Sequence, residues 1–387
     1  AKIVLDLNNC AVNRGLGTTV RASGYVIYVA GSLTIKDSTV TNGTYSTNGK
    51  ITGGANSTGS SAGGIYIATG GNVTLESGRI IDNRASGSTS GAGVYIGSGA
   101  LFNMTGGAIE SNVAVNNSNG TGGVYIYNSG VFNMTGGAVR ANQATRASNY
   151  SYGGVFVANA AGTEFNMTGG SIERNSGFTA GGLHIAGING KVSIGGTAQI
   201  YNGNTANGQA NNVNFLNANS VINIVSPFQS GAKIAVTRTN GLITSGYSTH
   251  NAGVPFSTYF SVDQASNYFL YEEGEGASAE VFCSSVNNAT NWDYFIARSM
   301  NTGTVQTIKL YSNWTAARST TGFGVSYNSG GGLNVPAGAK IILDLNGYNL
   351  DRNYTSAASS GYVMYVAGQI TIRDSKAGNS RITGGFN

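Results

Sequence analysis

The chain has 387 residues, a net charge of +5, 60 glycines, only 3 prolines and 10% charged residues. Soluble domains average about 25% charge and about 7% Gly, but 40% of this chain is apolar and recurs regularly, so a packed core rather than disorder is expected. Its Lys and Arg are scattered without a basic run, which excludes an electrostatic nucleic-acid surface, and no apolar run reaches the ~18 residues of a membrane span.

In chain order, the first segments are Ala1-Lys-Ile-Val-Leu-Asp6-Leu-Asn8, Ser23-Gly-Tyr-Val-Ile-Tyr28-Val-Ala30, Asp37-Ser38 and Ile51-Thr-Gly-Gly54. A short repeat follows. Gly-Ile65-Tyr66-Ile67 returns as Gly-Val94-Tyr95-Ile96, Gly-Val124-Tyr125-Ile126, Gly-Val155-Phe156-Val157 and Gly-Leu183-His184-Ile185, at steps of 29, 30, 31 and 28 residues. Between these lie Val73-Thr-Leu75, then Phe102-Asn-Met104-Thr-Gly-Gly, Phe132-Asn-Met134-Thr-Gly-Gly and Phe165-Asn-Met167-Thr-Gly-Gly. A third segment closes each unit: Ile80-Ile-Asp-Asn83, Ile109-Glu-Ser-Asn112, Val139-Arg-Ala-Asn142 and Ile172-Glu-Arg-Asn175.

Each segment alternates apolar and polar residues over three to five positions and then meets Gly or Asn, the pattern of a short strand and a turn. Three such strands per unit of about 30 residues predict one coil of an all-β parallel β-helix, a solenoid whose coils stack at roughly 4.8 Å. Equivalent residues then form ladders. Inward ladders are expected at Phe102, Phe132, Phe165 and at Met104, Met134, Met167. An asparagine ladder is expected at Asn83, Asn112, Asn142 and Asn175, extended by Asn202. An outward ladder of alternating charge runs Glu110, Arg140, Glu173.

The outward ladder Tyr28, Tyr66, Tyr95, Tyr125, Phe156, His184 is the candidate binding or assembly face. It is either cross-strand stacking or a sticky face for surface glycans or a neighbouring subunit.

Residues 194–282 stay strand-like but lose the clean repeat. Trp292, Tyr294 and Phe295 are candidates to cover a solenoid end, which otherwise exposes unpaired strand edges. Thr307–Tyr311 restarts the β pattern. The opening then returns: Ala339-Lys-Ile-Ile-Leu-Asp344-Leu-Asn346 at an offset of 338, and Asp374-Ser375 at 337. The organisation read from this is a module over 1–286 lacking its first segment, a junction or cap over 287–300, and the start of the next module over 301–387, the whole a piece of a longer array.

Leu-Asp-Leu-Asn-Gly347, Val-Met-Tyr-Val366, Gly-Gly-Val-Tyr-Ile126 and Phe-Asn-Met-Thr-Gly-Gly resemble the pectin-lyase-like right-handed parallel β-helix repeats of large bacterial surface proteins. Asn212–Leu216 through Thr244–Tyr247 is similar to their closing segments. The resemblance covers nearly the whole chain. It implies the right hand, export, cell-surface display and adhesion or filament building, with copies of itself, neighbouring modules or surface glycans as partners.

Chemistry is sparse. Some proteins of the resembled kind cleave polysaccharides, which needs clustered carboxylates. The densest acidic group here, Glu272, Glu273, Glu275 and Glu280, reads as a solvated turn. The two histidines, His184 and His250, form no dyad or metal motif. No catalytic residue, metal or cofactor is expected. Cys10 and Cys283 are either paired, free or linked between chains. Among the Asn-x-Ser/Thr sequons, Asn56, Asn116, Asn119 and Asn149 lie in inserts and are the candidate glycosylation sites; Asn103, Asn133 and Asn166 are stacked too closely to carry glycans. The expectation is a stiff extracellular rod, fibre or sheath rather than an enzyme, with a polysaccharide-binding or polysaccharide-cleaving β-helix as the alternative.

Overall fold

The computed structural model describes residues 2–40, 48–115, 119–147, 150–265, 268–273, 280–285, 288–310, 312–319, 321–354, 361–376 and 380–385. It is a β-solenoid of about 12 turns at roughly 30-residue spacing, in parallel sheets with 6% helix. The chain divides into two units, 1–284 and 285–387.

In the first unit, the Phe-Asn-Met segments belong to a nine-stranded sheet. It begins with Lys2–Asp6 and Ser32–Lys36 and ends with Ile222–Phe228 and Thr244–Ser245. The pairing is parallel and in the expected register: Phe102 opposes Phe132, which opposes Phe165, and Met104, Met134 and Met167 line up likewise. All six are fully buried, because period-2 alternation sends every second side chain inward. The phenyl rings follow one another at 5.0 and 5.1 Å between centroids. Each such side chain contributes roughly 1.5–3 kcal/mol by leaving water.

The Val-Tyr-Ile strands and the strands that end each coil form two further parallel rows. They join into one sheet where Lys233–Thr237 pairs with Gln199–Ile200 through its first residues and with Val213–Phe215 through its last. Two rows of two-residue strands supplement these: Ala55–Asn56 through Gln209–Ala210, and Ser90–Gly91, Gly120–Thr121 and Ser151–Tyr152.

The asparagine ladder is continuous. Nδ2 of Asn83, Asn112, Asn142 and Asn175 donates to Oδ1 of the asparagine one coil on, at 2.9–3.0 Å. The same Oδ1 also accepts the preceding asparagine's backbone N–H at 3.0–3.1 Å. The fifth member is Asn204, not Asn202. Asn202 is exposed and donates to Glu173 at 3.1 Å. Each ladder asparagine follows a residue with positive φ: Asp82, Ser111, Ala141, Arg174 and Gly203. That turn carries Asn204 inward and leaves Asn202 outside. The ladder ends at a charge, since Asn204 donates to Asn212 at 2.7 Å and the Asn212 N–H to the Asp263 carboxylate at 2.7 Å. A carboxylate at the acceptor end polarises the chain of amides in one direction.

In the charge ladder, Glu110 is buried and lies between Arg79 and Arg140, the latter at 2.6 Å. Glu173 pairs instead with Arg174 at 3.1 Å.

The last coil of this unit is covered by its own chain. Gly241–Leu242, Glu280–Ser285 and Tyr268–Glu273 form a three-stranded sheet whose first two strands are antiparallel, and Val281 and Cys283 join the main core. In the second unit, helix Asn288–Thr302 lies on strands Gln306–Lys309 and Lys340–Asp344. Ala289, Trp292 and Ile296, at helical spacing, face its core. Trp292 is fully buried, its Nε1 donates to the Tyr327 carbonyl at 3.3 Å, and its ring meets Trp314 edge-on at 6.5 Å.

Candidate functional site

The aromatic column runs along the first unit as one stack. Centroid separations are 5.3 Å for Tyr28–Tyr66, 5.3 Å for Tyr66–Tyr95 and 5.7 Å for Tyr95–Tyr125. They continue at 4.6 Å for Tyr125–Phe156 and 5.5 Å for Phe156–His184. The rings point away from the main core, as alternation requires, but they are not an open face. Tyr95, Tyr125, Phe156 and His184 are buried, Tyr66 is half-buried, and only Tyr28, 51% exposed, reaches solvent substantially. Of the two readings of this ladder, cross-strand stacking is the one its geometry shows, and the stacked rings form a second core.

Its cover comes from the short row that precedes the Gly-Gly turn: Ala62, Tyr152 and Ala180, with Tyr127 alongside. Tyr152 lies 4.5 Å from both Phe156 and His184. A two-residue strand such as Ser90–Gly91 has no alternation to announce it; the readable signal was the aromatic Tyr152 just ahead of Gly-Gly. Burial pushes the phenol of Tyr95 well above the usual range, and that of Tyr125 further still.

His184 is fully enclosed. Its Nδ1 donates to Asn214 Oδ1 at 2.8 Å. Burial lowers its pKa to about 4, and the Asn214 bond opposes that shift only in part, so the ring is neutral at physiological pH. It works here as a flat apolar plate closing the column.

Among the described residues, hollows lie beside these stacks. One, of about 420 Å³, lies at the first coil against Ile3, Ile27, Tyr28, Val29 and Leu33. Another, of about 260 Å³, is lined by Asn214, Phe215, Asn217, Arg238, Gln264 and Tyr268. Arg238 is engaged there. It donates to the carbonyls of Ser220 at 2.7 Å, Asn240 at 2.9 Å and Ala218, and stacks over Phe215 at 4.8 Å.

The acidic cluster is drawn into structure where it is described. Glu280 accepts from Thr244 Oγ1 at 2.8 Å and from the backbone of Gly246 and Tyr247, bracketing the turn before Tyr247–His250. Glu275 lies outside the described residues. Among the described residues, no three His, Cys, Asp or Glu come together as a metal site would need.

The cysteines are both unpaired: Cys10 is exposed and Cys283 buried. Burial raises the Cys283 thiol to about 12, and its Sγ donates to the Arg238 carbonyl at 3.0 Å.

Asn56 is not an accessible glycan acceptor. It is fully buried, its Nδ2 donates to Ser61 at 3.0 Å, and its Oδ1 accepts from the N–H and hydroxyl of Thr58. Asn119 is half-buried; Asn116 and Asn149 lie outside the described residues. The sequon ladder stacks as expected, with Asn166 donating to Asn133 and Asn133 to Asn103, each at 2.9 Å.

A scan against protein-family models finds no match for this chain, and searches of curated proteins and of solved structures find no significant match either.

Proposed function

We propose that this chain is a stiff structural or adhesive element of an extracellular surface, a rod whose length and lateral faces are its function. The observation that carries the reading is the unbroken asparagine ladder from Asn83 to Asp263. It binds successive coils through buried amides, alongside a phenylalanine column in the main core and a tyrosine column in the second core. A segment whose polar side chains are bonded along its own axis resists bending between coils. Nine rungs of the first sheet, at about 4.8 Å each, give a column about 40 Å long. Export, surface display and the pectin-lyase-like affinity belong to this proposal, and rest on the resemblance of the repeated strings.

The test pairs shape with chemistry. Small-angle scattering of the chain should give an elongated particle with a constant cross-section, and incubation with acidic polysaccharides should release neither reducing ends nor unsaturated sugars. A compact scattering profile, or product formation, overturns the reading. A second reading, glycan binding without cleavage, is favoured by the hollow at Asn214, Phe215, Asn217 and Tyr268. It joins amide groups to aromatic rings, the pairing that serves neutral sugars. A glycan array separates the two.

A further inference from the structure

One turn of the solenoid is tied differently from its counterparts. In four preceding coils, the turn that leads into the nine-stranded sheet is closed by a backbone hydrogen bond. Gly71 N–H donates to the Ala68 carbonyl at 2.8 Å, Ala100 to Gly97 at 3.1 Å, Gly130 to Tyr127 at 2.8 Å and Thr163 to Ala160 at 3.1 Å. The residue before each donor has positive φ: Gly70, Gly99, Ser129 and Gly162. In the turn Gly187-Ile188-Asn189-Gly190, Asn189 does not have positive φ, and among the described residues the Gly190 N–H has no hydrogen-bond partner.

The surroundings of this peptide are pinned. Asn189 N–H donates to Asn159 Oδ1 at 3.0 Å, and Lys191 N–H to the Thr163 carbonyl at 2.9 Å. The side chains project outward: Ile188 is 58% exposed, and Asn189 is exposed. The Asn189 amide group makes no hydrogen bond among the described residues.

An asparagine followed by glycine can react with its own backbone. The glycine N, having lost its proton, adds to the asparagine Cγ; a C–N bond forms and ammonia leaves, giving a cyclic imide. Water then opens either imide carbonyl, and the product is an α-linked or a β-linked aspartyl residue. The steps consume only water. They need a next residue without a Cβ to obstruct the approach, a free N–H, and room for that N to swing onto Cγ.

Other Asn-Gly pairs lack one of these. Gly120 N–H donates to the Tyr150 carbonyl at 3.1 Å and Gly347 N–H to Asp374 at 2.8 Å. The Asn240 carbonyl is held by Arg238 at 2.9 Å while Gly241 pairs with Cys283. Asn202-Gly203 and Asn207-Gly208 have positive φ at both residues, the pair of angles that fixes a tight I′ turn. Gly49 lies against the Asp37 carboxylate, whose charge opposes loss of the amide proton.

We propose that Asn189–Gly190 is a self-modification site, where the folded chain converts its own asparagine to α- and β-linked aspartyl products through a cyclic imide. The conversion adds a negative charge two residues from Lys191, and the β-linked product lengthens the turn backbone by one carbon. This goes beyond the rod reading and does not rest on it.

The test incubates the folded full chain at pH 7 and pH 9, then measures conversion at each Asn-Gly pair by peptide mapping and mass spectrometry. Asn189 should convert at least tenfold faster than Asn207 and Asn240, and faster at pH 9 than at pH 7, because only locally free backbone can react without prior opening. In urea the pairs should become equal within about threefold, since the fold no longer separates them. Asn189→Gln, at an exposed side chain, should abolish the early acidic variant on ion exchange. Conversion at Asn189 no faster than at Asn207 in the folded chain overturns the proposal. So does an equal preference for Asn189 in urea, or an early acidic variant that survives Asn189→Gln.

Discussion

Asp6 and Asp344, 338 positions apart in the chain, hold the same set of contacts. Asp6 Oδ1 accepts the N–H of Asn8 at 3.1 Å and of Ser38 at 3.0 Å, and Lys36 lies 3.7 Å from its other oxygen. Asp344 Oδ1 accepts the N–H of Asn346 and of Ser375, both at 3.0 Å, and Arg373 lies 3.2 Å from Oδ2. Asp6 is held below the usual range chiefly by the hydrogen bond from Ser38; at Asp344 desolvation pushes the carboxyl up, and the bonds from Ser375 and Asn346 with the nearby Arg373 together outweigh it. A repeated aspartate thus acts as a clamp between two coils.

Breaking the asparagine ladder should be costly. In Asn142→Ala, the buried Asn112 N–H loses its side-chain acceptor and Ile109 O its side-chain donor, while Asn112 Nδ2 keeps the Ile80 carbonyl and Asn175 Oδ1 keeps the residue 142 N–H. Stranded buried groups cost about 1–3 kcal/mol each, so a loss of about 2–4 kcal/mol is expected in urea unfolding. Asn202→Gly, at an exposed positive-φ position, should change stability by less than about 0.5 kcal/mol.

Truncations along the aromatic column should differ by position. Tyr125→Ala empties a closed site and should cost about 3–5 kcal/mol, whereas Tyr28→Ala, at a half-exposed ring, should cost about 1 kcal/mol or less. Equal costs at the two positions would mean that the second core is open to water.

His184 should impose a pH dependence. Its folded pKa of about 4 lies below the ordinary 6.5, so the unfolded chain binds the proton more readily. Its contribution is complete above pH 6.5, fades as pH falls, and is gone below pH 4. The loss is about 2 kcal/mol by pH 5 and about 3 kcal/mol in full. In His184→Phe this component should vanish, read as a smaller shift in urea midpoint between pH 7 and pH 5.

The cysteines should react in two steps. At pH 8 one thiol, that of Cys10, should label rapidly, and Cys283 only after unfolding. Two fast equivalents in the native state would contradict the buried position of Cys283.

The repeat and its inward ladders were legible because strand alternation and coil length recur in the residues themselves: Phe102, Phe132 and Phe165 needed no coordinates. The cover over Tyr95 and Tyr125 was not, because Ser90–Gly91 and Gly120–Thr121 are too short and glycine-rich to alternate. Asn202 and Asn204 flank Gly203, and only the backbone turn decides which one faces inward. Asn56 looked like an insert residue, yet its carbonyl and amide serve the turn through Thr58 and Ser61, a local pattern that an Asn-x-Thr string also encodes.

The most direct measurement uses the methionine methyl groups. The chain has only 5 methionines, and three of them, Met104, Met134 and Met167, occupy adjacent rungs in register. Methyl-labelled protein should show NOE cross-peaks between Met104 and Met134 and between Met134 and Met167. Absence of both, in a folded sample with assigned methyls, would contradict the stacking of residues one coil apart.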